Sequence, residues 1–140
     1  MTERTRWDAI RDGTIDVPAN RTLGFEIVDH DNPTEFVAIN WEVRKEYCNS
    51  AGNIQGGILG AFLDALLGSA TAAYLPQTHY PALAEMKVSI FRPAPAGAAL
   101  YGKGWIVKAG KRVLFAEAEV RDDLGELVAK ASGTEIPVEL

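Results

Sequence analysis

Hydrophobic and polar residues alternate in short stretches along most of this chain, and the alternation is interrupted by one long apolar run. Val37, Ile39, Trp41 and Val43 alternate with Ala38, Asn40 and Glu42, the period-two pattern of a strand with one buried face. Before it, Leu23, Phe25 and Ile27 alternate with Gly24, Glu26 and Val28, and residues 29–33 supply a turn, so the first two strands are expected to form a hairpin. After the apolar run, Met86, Val88 and Ile90 alternate with Glu85, Lys87 and Ser89, residues 92–97 form a turn, and residues 100–107 start another strand. Turns at 109–111 and 122–125 then delimit two last strands, over 112–121 and 126–136. Near the N-terminus, residues 3–11 carry Trp7 and Ile10 three positions apart on one face, which predicts a short amphipathic helix acting as a lid or edge cover.

The interruption begins after a loop over residues 45–55, rich in Asn, Ser and Gly, and runs to about Tyr74, with Pro76 expected to end it. A helix that is apolar nearly all round cannot lie with its back in water, so it must be wrapped by sheet or shared with a partner chain. The expected fold is therefore α+β: a curved antiparallel sheet of about six strands around one long apolar helix, in a dimer. Gly56, Gly57, Gly60 and Gly68 weaken that helix, and close approach of backbone or ligand is the expected compensation. The division expected is residues 1–19 as an N-terminal short helix and lead-in, and 20–140 as the main domain.

The chain has 140 residues, 47% of them hydrophobic and 24% charged, ordinary values for a globular protein. Its single cysteine, Cys48, cannot form an internal bridge, and the first residues lack the apolar segment of a signal peptide, so the cytoplasm is the expected location. The apolar run contains Asp64 and several glycines, and no basic cluster flanks it, which argues for a buried helix over a membrane span. A net charge of −5 without a basic, aromatic-interleaved stripe argues against nucleic acid as partner. His30 and His79 show no metal-ligand spacing with another ligand, and nothing locates a histidine against Cys48, so both histidines are expected at the surface and the thiol is expected to be inert. No metal or redox cofactor is implied.

The residue that calls for a role is Asp64. It is the single formally charged residue between Tyr47 and Ala84, and a carboxylate among apolar side chains must be desolvated, paired or facing a cavity. The sequence lacks a Gly-x-Ser-x-Gly elbow, a phosphate-binding loop, a His-Glu-x-x-His motif and a complete Gly-x-Gly-x-x-Gly, leaving serine hydrolase, nucleotide hydrolase, zinc protease and dinucleotide-binding readings without support.

The order strand, strand, loop, apolar helix and four strands resembles the hotdog fold. The segment Asn49-Ser-Ala-Gly-Asn-Ile-Gln55-Gly56-Gly57, followed by six residues and Asp64, resembles the acyl-CoA thioesterases of its PaaI-like branch, as do Arg92-Pro93-Ala94 and the end from Val128 to Thr134. The resemblance spans about residues 20 to 136. It implies hydrolysis of an acyl-CoA to a carboxylic acid and free coenzyme A, with Asn49 and the backbone N–H of Gly56 polarising the thioester carbonyl. It further implies that Asp64 of a facing subunit serves as nucleophile or general base. A helix N-terminus, with its unpaired N–H groups, is physically suited to a developing oxyanion. Gly56 and Asp64 are eight positions apart, roughly 12 Å along a helix, too far to flank one carbonyl from the same chain. Antiparallel pairing of two such helices across a two-fold axis solves this, so a homodimer with sites at the subunit interface is expected, with a dimer of dimers as a further option.

Gln55 is counted with the catalytic set, and Gly57 with the substrate contacts because it lets ligand approach the backbone. Arg92, Lys111 and Arg112 are candidates for the phosphates of coenzyme A. Two positions depart from the pattern: Gln55 stands where the family often has histidine, and Leu83 stands where it tends to have Ser or Thr to hold the attacking water. Thr78 or a backbone carbonyl is then needed for that water. A hydratase reading lacks a histidine within five residues after Asp64. The competing class is a non-catalytic acyl-thioester binding or sensing domain, and in a third reading Asp64 only bonds across the dimer axis.

Overall fold

The computed structural model describes residues 3–140. Two short helices, α1 (Arg6–Arg11) and α2 (Pro18–Leu23), lead into strands β1 (Glu26–Val28) and β2 (Val37–Glu42). The long helix α3 (Gly56–Ala72) follows, then β3 (His79–Ile90), β4 (Ala99–Ala109), β5 (Leu114–Arg121) and β6 (Leu127–Glu139). The six strands form one antiparallel sheet in the order β1-β2-β4-β5-β6-β3, so β3, although it follows the helix directly, is carried across to the edge beside β6.

The sheet wraps α3 as its all-round apolarity requires. Leu59, Phe62, Leu63, Leu66 and Leu67 are fully buried against Ile39, Leu100, Ala116, Ala118, Val120 and Ala129. The wrap is tight because the sheet offers small residues beneath the helix. A Cβ placed on Gly102 would meet the side chains of Leu66 and Phe62, and one on Gly133 would stand 2.8 Å from Leu67 Cδ1. Trp41 joins Phe25, Tyr47 and Phe62 in an aromatic cluster, and its indole N–H donates to the carbonyl of Leu23 at 2.7 Å.

The first strand is shorter than its alternation predicts. Leu23 belongs to α2, which has Pro18 at its first turn and Gly24 as a left-handed cap at φ 77°, the positions where proline and glycine favour a helix start and stop. Among the described residues only 26–28 pair with β2 on this side, in the expected hairpin, with Ile27 opposite Ile39. β3 differs in the other direction, beginning at His79, so that His79 is a strand residue and Leu83 lies well inside the strand. Pro81 obscures this start, since proline suits a sheet only at positions such as an edge strand. The last two strands also shift, β5 starting at Leu114 and β6 continuing to Glu139.

The helix α1 forms where expected, closed by a capping box between Thr5 and Asp8. Trp7, buried to 2% exposure, packs with Ala70, Ala72, Ala73 and Val37. It therefore covers the C-terminal end of α3, away from Gly56. Among the described residues no helix is long and apolar enough to cross a membrane.

Candidate active site

The start of α3 is arranged as a pair of free donors. Gln55 is its N-cap residue and makes no side-chain capping bond; its backbone carbonyl accepts from Ile58 and Leu59 at 2.9 and 3.0 Å. The N–H groups of Gly56 and Gly57 precede the helical ladder and have no acceptor among the described residues. Among the described residues nothing lies within 4 Å of a Cβ built on Gly57, and one built on Gly56 would meet Ile90 Cδ1 at 3.3 Å, so ligand has access to the backbone here.

Asn49 lies in the loop leading to this helix. Its Oδ1 accepts from the N–H groups of Ala51 and Asn53 at 3.0 and 3.3 Å, and its own N–H donates to Asn53 at 2.8 Å. This is an Asx turn, which pins the oxygen and leaves the Nδ2 donor without a partner among the described residues. The loop is held against residues 94–96 by Ile54 N–H to the Ala94 carbonyl and Ala96 N–H to the Gly52 carbonyl. Gln55 donates its N–H to the carbonyl of Tyr47 at 2.8 Å while its side chain is exposed.

From the free N–H groups an open groove of about 540 Å³ runs along α3 and the inner side of β3, lined by Gly56, Gly57, Gly60, Ala61, Asp64, Met86, Val88 and Ile90. Asp64 is thus the polar side chain of an otherwise apolar groove. In the single chain it reaches solvent, yet its surroundings strip enough water from it that desolvation raises its pKa above the ordinary 3.8. Gly56 and Asp64 lie eight positions apart on α3 and both line this groove.

Not every candidate gathers here. Arg92 follows two residues after Ile90, near the helix start, and pairs loosely with Asp122 at 3.8 Å. Lys111 and Arg112 lie in the β4–β5 hairpin next to Leu114, whose ladder partner Glu135 pairs in turn with Leu83, so they sit at the other end of the strands from Ile90. Thr78 engages the ring of His79 at 3.0 Å, and His30 stacks on Phe36. Cys48 is unbridged and half-buried, its Sγ 3.6 Å from the Arg44 carbonyl. A larger depression of about 670 Å³ at α1 is lined by Asp8, Arg11, Asp12, Asp29, His30 and Asp31, a set too acidic to suit an anionic thioester. Among the described residues no group of three or more His, Cys, Asp or Glu side chains is placed to hold a metal ion.

One residue escapes sequence reasoning. Glu135, on β6 between Leu83 and Leu114, is 1% exposed, and neither carboxyl oxygen has a hydrogen-bond partner among the described residues. Burial, and secondarily the charge of Asp64, push its pKa up to about 8. The signal was its parity with Ala129, Ala131 and Gly133, small residues that let a strand lie close beneath a bulky helix.

A family model for the thioesterase superfamily matches residues 51–129, a span that includes Gly56, Gly57 and Asp64. No curated protein matches the sequence. Among solved structures, a phenylacetic acid degradation-related protein of Ralstonia eutropha JMP134 is 30% identical with a TM-score of 0.85, over 94% of this chain and 98% of that one. The PaaI protein of the E. coli phenylacetic acid degradation operon shares the fold at 19% identity and a TM-score of 0.83, over 95% and 93% of the two chains. The protein smu.793 of Streptococcus mutans UA159, solved bound to acetyl-CoA, aligns at 20% identity and a TM-score of 0.72, over 82% and 89%. With the wrapped helix, the free donors at its start and the carboxylate on its groove, the chain belongs to the thioesterase superfamily, in its PaaI-like hotdog branch, and is a thioester hydrolase.

Proposed function

We propose that the substrate is an acyl-CoA and that Asp64 drives its hydrolysis within a homodimer. The observation that carries this reading is the juxtaposition on one open groove of the unpaired Gly56 and Gly57 N–H groups and the desolvated Asp64 carboxylate. The acetyl-CoA bound to the Streptococcus mutans protein supports coenzyme A as the carrier.

In this mechanism the thioester oxygen points at Gly56 N–H and Asn49 Nδ2. Asp64 of the facing subunit delivers the oxygen nucleophile, attacking directly or taking a proton from water. The carbonyl carbon becomes tetrahedral, and its oxyanion is received by donors already in position. Collapse breaks the C–S bond and sulfur leaves with the electron pair; in the water route it gains the proton Asp64 took, and in the direct route it takes a proton from solvent and water then cleaves the acyl–Asp64 anhydride, so either route consumes one water for one carboxylic acid and one thiol. A carboxylate of raised pKa is the better proton acceptor at neutral pH. Gln55 orients the carbonyl or water at the helix start, Gly57 gives the acyl group room, and Arg92, two residues beyond the groove residue Ile90, is the cation placed to meet a phosphate of coenzyme A, a role Lys111 and Arg112 could fill only for a site elsewhere in an assembly.

An exposed edge supports the dimer. β3 presents its outer side without a ladder partner among the described residues, and Leu83 and the groove residue Ile90 remain 38% and 47% exposed. A second copy pairing antiparallel would cover this edge and bring its Asp64 towards Gly56.

Free-thiol release from short, medium, long and aryl acyl-CoAs tests the proposal, comparing wild type with Asp64→Asn. Turnover lost in the variant with dimerisation retained supports it. No turnover on any substrate favours the binding-domain alternative, which Leu83 beside the groove in place of a hydroxyl would suit, and equal turnover removes Asp64 from the chemistry.

A further inference from the structure

The groove is uneven along its length. On the helix side Gly56, Gly57, Gly60 and Ala61 carry at most a methyl group, so its depth is set by what β3 lays against them. A Cβ built on Gly57 would have nothing within 4 Å among the described residues, whereas one built on Gly60 would stand 4.0 Å from Met86 Cε. Gly57 is exposed and Gly60 is buried, so the thioether end of Met86 rests against the helix at Gly60 and leaves it open at Gly57.

Behind Met86 the space is taken. Its ladder partner is Gly133, and a Cβ there would meet Leu67 Cδ1 at 2.8 Å and Leu83 Cδ1 at 3.5 Å. Towards the helix start, Ile90 Cδ1 comes within 3.3 Å of a Cβ on Gly56. The open stretch therefore lies between Ile90 and Met86, with Val88, the shortest of these three side chains, at its middle.

We propose that Met86 determines acyl-chain length: its thioether end, resting against Gly60 one helical turn from the free N–H groups, stops the chain and makes short straight-chain acyl-CoAs the preferred members of that series. This rests on the reading of the Gly56 N–H and Asp64 as the site of acyl-CoA hydrolysis. Arg92 lies past Ile90, so coenzyme A extends from that end and the acyl group runs the other way, from Gly57 towards Gly60. Four residues of helix span roughly 6 Å at 1.5 Å per residue, the length of about five extended carbons. Beyond Met86 the helix side turns polar at Asp64, and an alkyl chain reaching it would strip more water from a carboxylate already desolvated.

The residue types fit their places. Val88 and Ile90 are β-branched and stiff, which gives the open stretch fixed sides. Methionine is unbranched with three rotatable bonds, so the stop is soft: a chain slightly too long displaces Cε before it disturbs the strand.

The experiment measures kcat/KM for straight-chain acyl-CoAs from acetyl to palmitoyl in wild type, Met86→Ala and Gly60→Ala, with sedimentation of each protein. In wild type kcat/KM rises about fourfold per methylene, the worth of one buried CH₂, as far as about six carbons, and then levels or falls. Met86→Ala removes Cγ, Sδ and Cε, so the break moves out by about three carbons and the octanoyl-to-butyryl ratio of kcat/KM rises at least about tenfold. Gly60→Ala adds a methyl group in ordinary contact with Met86, and its break comes about one carbon earlier.

A wild-type profile without a break overturns the proposal and leaves acyl-CoA hydrolysis standing. So does an unmoved break in Met86→Ala, including one accompanied by a change in dimer affinity, which would make Met86 an interface residue only. If wild type hydrolyses none of the series, the hydrolysis reading fails, and calorimetric titration of the same acyl-CoAs decides the length limit. A break in affinity that Met86→Ala moves outward upholds it; a flat series, or no binding, overturns it. Should Met86→Ala not fold, the direction of the shift in Gly60→Ala decides alone.

Discussion

A Cβ added to Gly104 would stand 2.4 Å from the carbonyl oxygen of Leu66, so β4 and α3 meet there backbone to backbone. At Gly102 the obstacles are the ends of the Leu66 and Phe62 side chains, which can turn aside. Gly104→Ala is therefore expected to destabilise the fold by about 1–3 kcal/mol, in the range of overpacked cores, and more than Gly102→Ala. Melting of the two variants side by side checks the order.

Asp64→Asn should lower kcat by about 10²- to 10⁴-fold, the usual reach of a positioned acid or base, while KM changes little. Its effect on stability should have the opposite sign. The folded pKa of Asp64 is raised, so its stabilisation is complete below about pH 3.8 and is lost as pH rises through the folded value. At neutral pH the asparagine variant should melt no lower than wild type; a marked drop would point to a bond across the dimer axis instead.

Gly57→Ala separates packing from chemistry. A methyl group there meets nothing within 4 Å, and alanine suits a helix better than glycine by about 0.5–1 kcal/mol, so stability should hold or rise. The same methyl projects where substrate approaches, so kcat/KM should fall. A variant as active as wild type would place the thioester elsewhere.

The acid side of the activity profile should lie above the pH expected of an ordinary aspartate, because Asp64 must be charged to act and desolvation holds its proton more tightly. A pH–rate curve that stays flat down to pH 4 would contradict this.

Val88→Lys puts a charge on the groove side of the edge strand, where a second copy is expected to seat. Sedimentation should then show a monomer, with hydrolysis lost. A dimer that persists would move the interface to another face.

Much of this architecture is readable from residue order. The alternation around Trp41 and the unbroken apolarity of α3 give the wrapped sheet and helix, because both patterns report burial directly. The spacing of Gly56 and Asp64 puts both on one groove, because a helix converts sequence distance into length. What resists reading is where a local rule yields to packing. Leu23 and Phe25 mimic a strand although Pro18 and Gly24 mark a helix. The first residues of β3 hide behind Pro81, which lies opposite Pro137. Along β6 the larger residues suggest the wrong face inward: Ile136 is exposed and Glu135 buried, because bulk from α3 already fills the interior.

The small residues under α3, Gly102, Gly104 and Gly133 together with Ala116, Ala118, Ala129 and Ala131, divide the helix into two faces with different freedom to change. Towards the sheet each added carbon would lift the helix and carry its first N–H groups with it, so distant positions set the reach of the donors to which the proposed mechanism gives the oxyanion. Towards the groove, Gly57 and Ala61 border open space. If the proposed mechanism holds, acyl-chain preference is retuned by enlarging residues on the groove side without disturbing the frame, whereas the sheet side behaves as a fixed gauge for the height of the helix start.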